Sequence, residues 1–475
     1  MKKLNRTTTN THSDRPVKVL QFGEGNFLRG FADWMIHIMN EKTSFNGDVQ
    51  IIQPLAKGME TAINRQEGLY HVILQGLQNG HKTRDIRLIT CVKGVINPYT
   101  HPREYLEQAA NPHLEFIISN TTEAGIHFNE QDITPDILPD SFPGKLAIFL
   151  YRRFNVFKGD GHGLTIIPCE LIDKNGIRLR EAVLRYTDLW QWPHEFTKWL
   201  DTNVTFCNAL VDRIVPGFPS KTIKQVQTEL GYDDNLVVTA EPFHLWVIEG
   251  PERLATHFPV QEAGLQVRFV NDITPYRERK VRVLNGAHTA MVPIGYLQGI
   301  KTVKETMEDP ITGSFMQKVI FEEILPTLPQ PEEELIPFAN AVTERFKNPF
   351  IQHELISIAL NAISKFKVRV LPSILAYQKE KGMLPRGLVR SLAHLLVFYR
   401  GHYKGQDIPL RDAPEILDFF TRVWQCDTIE KVVFKSLDNP TLWGRSLINI
   451  NGLQKTLVKE ITVLLEQEHT TGTPA

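Results

Sequence analysis

Three polar side chains in the second half of the chain have the types and spacing that proton transfer to a carbonyl oxygen requires. They are Lys280, Asn285 and His288, at positions i, i+5 and i+8. At about 100° per residue on an α-helix, the asparagine lies about 140° and the histidine about 80° from the lysine, so all three project from one side. A buried lysine exchanges a proton near neutral pH, while Asn and His donate hydrogen bonds to an oxygen that becomes negative. The set suits metal-independent carbonyl reduction and alcohol oxidation; a solvated polar helix face is the alternative interpretation.

The segment that must position these side chains has clear helix signals. Thr274 is a good N-cap, Pro275 occupies the favoured first position, and the helical pattern runs to Gly299. The dipeptide Asn285-Gly286 also occurs in turns, so a local irregularity is possible there. A glycine at this place would alternatively allow the close approach of another backbone or of a ligand.

Composition limits the class of protein. The chain has 475 residues, is 42% hydrophobic, and balances 53 Lys and Arg against 54 Asp and Glu. This charge balance gives no reason to expect nucleic-acid binding. The polar start lacks the apolar core of a signal peptide, and no window approaches 18 continuous apolar residues, so we expect a cytoplasmic protein without membrane segments. The sequence does not indicate an oligomeric state.

The cysteines do not form a metal-binding pattern. All four are far apart and lie in or beside apolar stretches, namely Cys91, Cys169, Cys207 and Cys426. We therefore expect buried thiols in a reducing compartment, with no catalytic cysteine and no metal site.

The first half alternates short apolar runs with helical patterns, which is typical of β-α-β units around a mainly parallel sheet. The predicted strands of this sheet are 17–22, 49–53, 114–119 and 164–168, with a helix over 27–39. Added strands, partly antiparallel, are predicted at 209–215, 236–247 and 265–270. From Thr274 onward the pattern is helical, with segments at 311–325, 332–346, 350–366, 385–399, 413–425 and 453–466. These patterns predict two domains, 1–273 and 274–475, the second mainly α-helical.

A glycine turn follows the first predicted strand. Gly23-x-Gly25 has the context of a dinucleotide-binding turn, although Leu28 stands where a third glycine is usual, and a plain structural turn is the alternative. The acidic residue expected after the second strand, to bind the ribose 2′-hydroxyl, is missing because Gln53 and Pro54 occupy that place. NAD and NADP both remain open on this chemistry. The 119–123 segment could hold a nicotinamide ribose or amide, or could be an ordinary helix N-cap.

Taken together, these features resemble the mannitol dehydrogenase family of polyol-specific long-chain dehydrogenases and reductases. The specific marker is 280–288, KVRVLNGAH, which matches the family's K-x4-N-x2-H signature, with supporting blocks at 23–29, 66–70, 122–123 and 211–214. The resemblance implies a Rossmann-like first domain that binds NAD. It also implies that Lys280 is the general acid/base and that Asn285 and His288 polarise the carbonyl. The residues that it places at the cofactor are Gly23, Gly25, Asn26, Phe27, Arg29, Asn120, Thr122 and Glu123.

One position departs from the family pattern. Mannitol dehydrogenases carry a further oxyanion asparagine two places after a cysteine, where this chain has Leu171. The second amide is therefore absent, replaced by another group, or supplied by Asn120 or Asn208.

The blocks QFGEGNFLRGF, ISNTTEAGI and RFKNPFIQHELIS look most like the branch of the family that acts on a keto-hexuronate. The expected reaction is reduction of D-tagaturonate to D-altronate with NADH; the alternatives are fructuronate, a neutral ketose such as fructose, or a nucleotide-binding sensor without turnover. A uronate carboxylate calls for a fixed cation, and Asp212 could bind a sugar hydroxyl. The candidate cations are Arg213, Arg277, Lys365, Lys367 and Arg369; at Arg277 the family tends to carry glutamate.

Overall fold

The computed structural model describes residues 1–121 and 125–470. The chain divides into two compact units, the first made of Met1–Gly76 and Lys82–Ile273, and the second of Leu77–His81 and the residues from Thr274 onward.

A six-stranded parallel sheet forms the centre of the first unit. Its strands are β1 (Val17–Phe22), β2 (Asp48–Ile52), β3 (Val92–Ile96), β4 (Phe116–Ser119), β5 (Leu164–Pro168) and β6 (Val204–Phe206). They lie in the order β3-β2-β1-β4-β5-β6, and each strand is parallel to its neighbours. This is the Rossmann order. Strands β2 and β3 are added on one side of β1 and strands β4 to β6 on its other side, which leaves a crevice at the carboxyl ends of β1 and β4. The prediction of a Rossmann-like first half is confirmed.

Helices cover the sheet because its strands are apolar on both faces. Along β1, Val19 packs into one buried cluster and the next residue, Leu20, into another; Ile118 and Ile117 of β4 divide in the same way. This alternation follows from the two-residue period of a strand. The helices of this unit are Arg6–Thr9, Asn26–Arg29, Ala32–Lys42, Glu60–Arg65, Pro102–Glu107, Phe142–Val156, Asn175–Leu189, His194–Asn203, Ile223–Leu230 and Leu254–His257, with a 3-10 turn at Gln108–Ala110.

The helix predicted over 27–39 is wrong in its continuity, because the structure has two helices, Asn26–Arg29 and Ala32–Lys42. The break is at Gly30, where a Cβ would lie 2.9 Å from Val238 Cγ1 and 3.2 Å from Val215 Cγ1. The close packing at this glycine turns the chain, so the local helical pattern is overridden by a tertiary contact.

The added strands are confirmed, but a hairpin among them was not predicted. Its strands are Tyr70–Gln78 and His81–Ile89, and the intervening Asn79 and Gly80 have φ of 53° and 76°. An Asn-Gly pair with two positive φ angles is the strongest short hairpin signal, and it is present in the sequence. The remaining strands are Lys2–Lys3, Asn208–Asp212, Tyr232–Asp233, Val238–Ala240, Leu245–Glu249 and Val267–Val270.

The second unit is mainly α-helical, as predicted. Its α-helices are Thr274–Arg279, Ala287–Leu297, Val303–Glu308, Pro310–Lys318, Glu332–Phe346, Leu355–Ile358, Ala362–Arg369, Leu371–Lys381, Arg386–Phe398, Pro414–Val423, Ile429–Leu437, Pro440–Trp443 and Leu453–Thr470. Two π-helices, Lys280–Gly286 and Val319–Ile324, a 3-10 turn at Leu325–Thr327 and a two-stranded ribbon of His402–Tyr403 and Gln406–Asp407 complete it. The single helix predicted over 350–366 is wrong, because Asn361 has a φ of 52° and starts a new helix at Ala362.

Cys91, Cys169 and Cys207 are buried free thiols, as expected, while Cys426 is half-buried. Within the described part of the chain, no helix has the length and apolar character to span a membrane.

Candidate active site

The segment that carries the lysine, asparagine and histidine is a helix of three parts. The α-helix Thr274–Arg279 passes into a π-helix over Lys280–Gly286, and an α-helix resumes over Ala287–Leu297. The helix predicted for this segment is present, and the local irregularity considered at Asn285-Gly286 takes the form of this π-helical turn. In a π-helix the hydrogen bonds join residues i and i+5, so residues five apart stack one above the other.

This change of helix type brings Lys280 and Asn285 into line. On an α-helix the two would diverge by about 140°, whereas the π-helical turn places them on one side. His288 follows three residues later, in the α-helical part, where positions i and i+3 are neighbours. Lys280 and Asn285 are half-buried, and His288 is 8% exposed. The structure thus brings the three predicted catalytic residues together more closely than the predicted helix would.

Gly286 allows the backbone of a second helix to approach the site. A Cβ on Gly286 would lie 2.9 Å from the carbonyl oxygen of Arg369 and 3.4 Å from that of Val281. Arg369 ends the helix Ala362–Arg369, so this contact fixes the end of that helix beside Asn285. Of the two roles considered for this glycine, the structure shows the approach of another backbone.

We expect Gly286→Ala to destabilise the protein by about 1–3 kcal/mol, because the added methyl overlaps a main-chain carbonyl that cannot move alone. The turnover number should fall as well, since Asn285 and Arg369 are displaced together. Denaturant unfolding and steady-state rates measure the two effects. Dinucleotide affinity is the internal control, because its candidate residues lie in the other unit. A variant as stable and as active as the wild type would show that the close approach is not required.

Neighbouring helices hold the helix Ala287–Leu297 in place. Every residue of 287–295 is buried, so the helix Ala287–Leu297 is the core of its unit. Ser391 donates through Oγ to the carbonyl of Ala290 at 2.7 Å, next to the carbonyl that Pro293 leaves without its helical donor. The helix of Ser391 is itself capped, since Glu323 accepts from the backbone N–H groups of Gly387 (2.7 Å) and Leu388 (2.8 Å).

His288 lies in a pocket of rings and cations. Its ring is 4.2 Å from the ring of Phe346 and 5.0 Å from that of His353, measured between centroids. Burial, followed by the positive charges of His353, Arg345 and Arg369, lowers the pKa of His288 well below its ordinary value. The imidazole is therefore neutral near pH 7, with one N–H to donate and one nitrogen to accept. Within residues 1–121 and 125–470, no group hydrogen-bonds to the His288 ring or the Asn285 side-chain amide.

The predicted substrate cations occupy different surroundings. Arg369 is half-buried near His288, burial lowers its pKa, and among the described residues no group accepts a hydrogen bond from its guanidinium. Lys365 donates to the carbonyl of Ile358 at 2.9 Å, and the Lys367 amine lies beside Gly444. Arg277 is half-buried in the Thr274–Arg279 helix. Of these four, Arg369 is the cation that the structure places at the site.

Arg213 and Asp212 belong to the first unit and are both buried. Arg213 donates from all three guanidinium nitrogens to the carbonyls of Phe243 (3.1 Å), Gly30 (2.8 Å) and Pro242 (3.3 Å). Burial lowers its pKa to about 9. These contacts give Arg213 a structural task, and they argue against the predicted role in holding a substrate carboxylate.

The glycine turn after β1 has the shape that a pyrophosphate requires. Gly23 has a φ of 119°, and a Cβ there would lie 2.7 Å from the carbonyl oxygen of Asn120. At Gly25 a Cβ would meet nothing within 4 Å. The first glycine thus closes the tight turn, and the second leaves open space through which a ligand can reach the backbone. The turn lies at the reversal point between β1 and β4, where ligands bind in such sheets.

Arg29 shapes this turn from inside. Its side chain is 1% exposed and donates to the Glu24 carbonyl at 3.0 Å, the Leu236 carbonyl at 2.6 Å and Asn26 Oδ1 at 2.8 Å. Asn26 is exposed and Phe27 half-buried. Arg29 therefore orders the turn and is not placed for direct contact with a cofactor, whereas Asn26 and Phe27 are accessible.

A buried carboxylate organises the adjacent strand end. Glu170 is 3% exposed and accepts from Ser119 Oγ at 3.0 Å and from the N–H and Oγ1 of Thr121 at 3.0 and 3.1 Å. Burial raises its pKa. Asn120 follows β4 and directs Nδ2 to the Cys169 carbonyl at 2.7 Å. The other predicted cofactor residues of this segment, Thr122 and Glu123, lie outside the described residues.

Asn120 and Asn208, the two amides considered for the second oxyanion contact, have partners within the protein. Leu171 is 64% exposed, and Nδ2 of Asn208 donates to Glu249 Oε1 at 2.8 Å while its Oδ1 accepts from the backbone of Gly176 at 3.1 Å. Asn120 is committed to the Cys169 carbonyl in the same way. Both amides considered for this role therefore already hold the protein's own structure.

Sequence reasoning missed Arg345, Phe346 and His353, which surround His288. The three lie in the RFKNPFIQH block that supports the family resemblance. The block therefore indicated this part of the chain, but not that these side chains surround His288. Among the described residues, no cluster of His, Cys, Asp and Glu has the arrangement of a metal site.

Comparisons with known proteins agree with this architecture. The family model described as the mannitol dehydrogenase Rossmann domain matches residues 17–262, and the one described as the mannitol dehydrogenase C-terminal domain matches 272–466. Altronate oxidoreductase of Phocaeicola vulgatus is 45% identical over 470 residues, covering 98% of each chain. That of Yersinia enterocolitica is 46% identical and covers 95% of each chain; that of Bacillus subtilis is 45% identical and covers 99% of this chain and 97% of its own.

Solved structures share the fold. A substrate-free D-sorbitol dehydrogenase superposes with a TM-score of 0.84 at 22% identity, covering 100% of both chains. Pseudomonas fluorescens mannitol 2-dehydrogenase, in a ternary complex with NAD and D-mannitol, gives a TM-score of 0.70 at 21% identity and covers 99% of this chain and 98% of its own. The predicted family is confirmed: the chain belongs to the mannitol dehydrogenase family of oxidoreductases.

Proposed function

We propose that the chain is an NADH-dependent altronate oxidoreductase, which reduces D-tagaturonate to D-altronate and catalyses the reverse oxidation. The observation that carries the proposal is the site around His288, where a lysine, an amide and a neutral imidazole share one helix with two arginines nearby. The first three suit a ketone, and the arginines suit a carboxylate on the same substrate. Relatives named altronate oxidoreductase, at 44–46% identity, support this assignment.

NADH, when bound, supplies the hydride for the carbonyl carbon. Lys280 donates a proton from Nζ to the developing alkoxide oxygen, and in oxidation it removes the alcohol proton. Asn285 and His288 donate hydrogen bonds to the same oxygen as its negative charge grows. Because these donors are held by the helix, they need no reorganisation during the reaction.

The neutral state of His288 matters for this role. A neutral imidazole donates one hydrogen bond without releasing its proton, so Lys280 remains the proton donor. Burial is the main reason that His288 is neutral, and Arg345 and Arg369, which add to this effect, are also suited to a substrate anion.

We assign the substrate carboxylate to Arg345 and Arg369. Arg345 is 8% exposed and directly precedes Phe346, whose ring lies against His288. Arg369 is held beside Asn285 through its contact with Gly286. Guanidinium groups bind carboxylates with paired, charge-assisted hydrogen bonds. Arg277 and Lys365 remain secondary candidates, and Asp212 remains a predicted sugar-hydroxyl contact.

The dinucleotide fits the turn after β1. Gly23 and Gly25 give the closed turn and the open face, with Asn26 and Phe27 accessible beside them. Asn120 borders the same turn through its carbonyl oxygen. Contacts from Thr122 and Glu123 stay predictions, as does the cytoplasmic location.

The test is a comparison of D-tagaturonate, D-fructuronate and D-fructose as substrates with NADH. We expect the highest kcat/KM for D-tagaturonate and a value lower by about two orders for fructose, because fructose lacks the charged group that an arginine pair binds. Equal efficiency with fructose would contradict the carboxylate assignment. NADH binding without oxidation across all three would instead support a nucleotide-binding sensor.

A further inference from the structure

The end of the second strand lacks the acid that usually binds the adenosine ribose. In Rossmann domains an Asp or Glu near this point hydrogen-bonds to the ribose 2′-hydroxyl. Here β2 ends at Ile52, and Gln53 follows. The Gln53 side chain is committed to its own loop: Nε2 donates to the carbonyls of Leu55 (2.8 Å) and Ala56 (3.3 Å), and Oε1 accepts from the Glu60 N–H at 3.1 Å.

A carboxylate reaches the same place from a different element. Glu24, the residue between the two glycines of the turn, lies with Oε1 against Gly58, where an added Cβ would overlap it. The same Cβ would lie 2.5 Å from Cδ and from Oε1 of Gln53, so the Glu24 carboxylate and the end of β2 are adjacent. The Met59 N–H donates to this carboxylate.

The Glu24 carboxylate can accept hydrogen bonds from a ligand as well as from the loop after β2. The side chain is half-buried, and the next residue, Gly25, has open space where a Cβ would lie. Burial raises its pKa, while the backbone N–H of Glu24 itself, the Met59 N–H and the charge of Arg29 oppose that rise. A carboxylate has about four lone-pair directions, and the two backbone donors leave others for hydroxyl groups.

We propose that Glu24 replaces the missing strand-end acid, accepts hydrogen bonds from the adenosine ribose, and selects NADH against NADPH. The inference rests on the proposed function in that it assumes a bound dinucleotide. Hydroxyl groups donate to the carboxylate, whereas the 2′-phosphate of NADPH meets a like charge at the same point. The exposed Lys57 lies in the same loop, so removal of the Glu24 charge leaves a cation for that phosphate.

A structural role for Glu24 makes a different prediction. If the carboxylate only accepts from Met59 and holds the loop, its loss affects NADH and NADPH equally. Glu24→Gln separates the two roles because the amide oxygen still accepts from the Met59 N–H while the charge is gone. Glu60→Gln is the matched control, since Glu60 is a half-buried carboxylate at the start of the helix that follows this loop.

The experiment measures dissociation constants of NADH and NADPH by fluorescence titration for the full-length wild type and both variants. ADP-ribose and 2′-phospho-ADP-ribose, titrated calorimetrically, isolate the adenosine end. In Glu24→Gln we expect NADH and ADP-ribose to bind about tenfold more weakly, in line with a lost charge-assisted hydrogen bond, and the 2′-phosphorylated ligands to bind more tightly. Glu60→Gln should keep the wild-type ratio.

Equal weakening of all ligands in Glu24→Gln, or unchanged binding, overturns the proposal, as does an equal shift of the ratio in Glu60→Gln. Thermal unfolding of each variant shows whether it is folded, and Glu24→Asp provides a second folded variant that must retain the NADH preference. Failure of the wild type to bind either dinucleotide would refute the proposed function instead, so the two failures are distinguishable.

Discussion

Lys280→Ala should lower kcat for D-tagaturonate reduction by about 10²–10⁴-fold, the usual contribution of a general acid/base. Of the three predicted catalytic residues, Lys280 is the one that can give a proton to the alkoxide, since Asn285 does not titrate and burial keeps His288 neutral. The dissociation constant of NADH should stay near the wild-type value. Steady-state kinetics and fluorescence titration provide the two measurements.

Two further measurements make the Lys280 result specific. Lys304→Ala removes a lysine of the same unit that pairs with Glu308 at 3.6 Å near the surface, and it should leave kcat unchanged. A small primary amine added to Lys280→Ala should restore part of the rate, because it supplies the missing proton donor. Wild-type turnover in Lys280→Ala would remove this residue from the mechanism.

The second large effect is expected at the arginines near His288. Arg345→Met or Arg369→Met should raise KM for D-tagaturonate by about 10–100-fold, as the loss of a charged hydrogen bond of about 1.5–3 kcal/mol implies. The kinetic constants for D-fructose should change little, since it carries no carboxylate. The comparison of the two substrates therefore separates lost recognition from general damage.

Lys379→Met is the control for loss of a positive charge, because Lys379 is exposed on the helix Leu371–Lys381. It should leave both substrates unaffected. If Arg345→Met and Arg369→Met impaired fructose as strongly as tagaturonate, the arginines would be structural. If neither variant changed KM for tagaturonate, Arg277 and Lys365 would become the next candidates.

The sequence predicted a catalytic trio because those residues are local. Lys280, Asn285 and His288 stand within nine positions of one predicted helix. The helix type was not predictable in this way. An i→i+5 turn arises where tertiary contacts favour it, and here the contact of Gly286 with the Arg369 carbonyl joins segments distant in sequence.

The cations illustrate the same limit. Arg213 and Arg369 looked equivalent as arginines beside apolar runs, yet Arg213 is bound to three carbonyls and Arg369 to none among the described residues. Arg345 was not predicted because its sequence block indicated the region only, and the contact of Phe346 with His288 is a tertiary one. Long-range packing decides which charges reach a site, and single-sequence patterns do not contain it.

The π-helix has a consequence for deletions in this segment. Each i→i+5 ring holds one residue more than an α-helical ring, so the stretch Lys280–Gly286 carries a surplus that an ordinary helix would not need. Deleting one codon between Lys280 and Asn285 would let the stretch close as regular α-helix with the amine and the amide four positions apart, still on one side of the helix. The smallest possible shortening of the gene would thus remove the surplus residue and leave the amine, the amide and the imidazole on the same side.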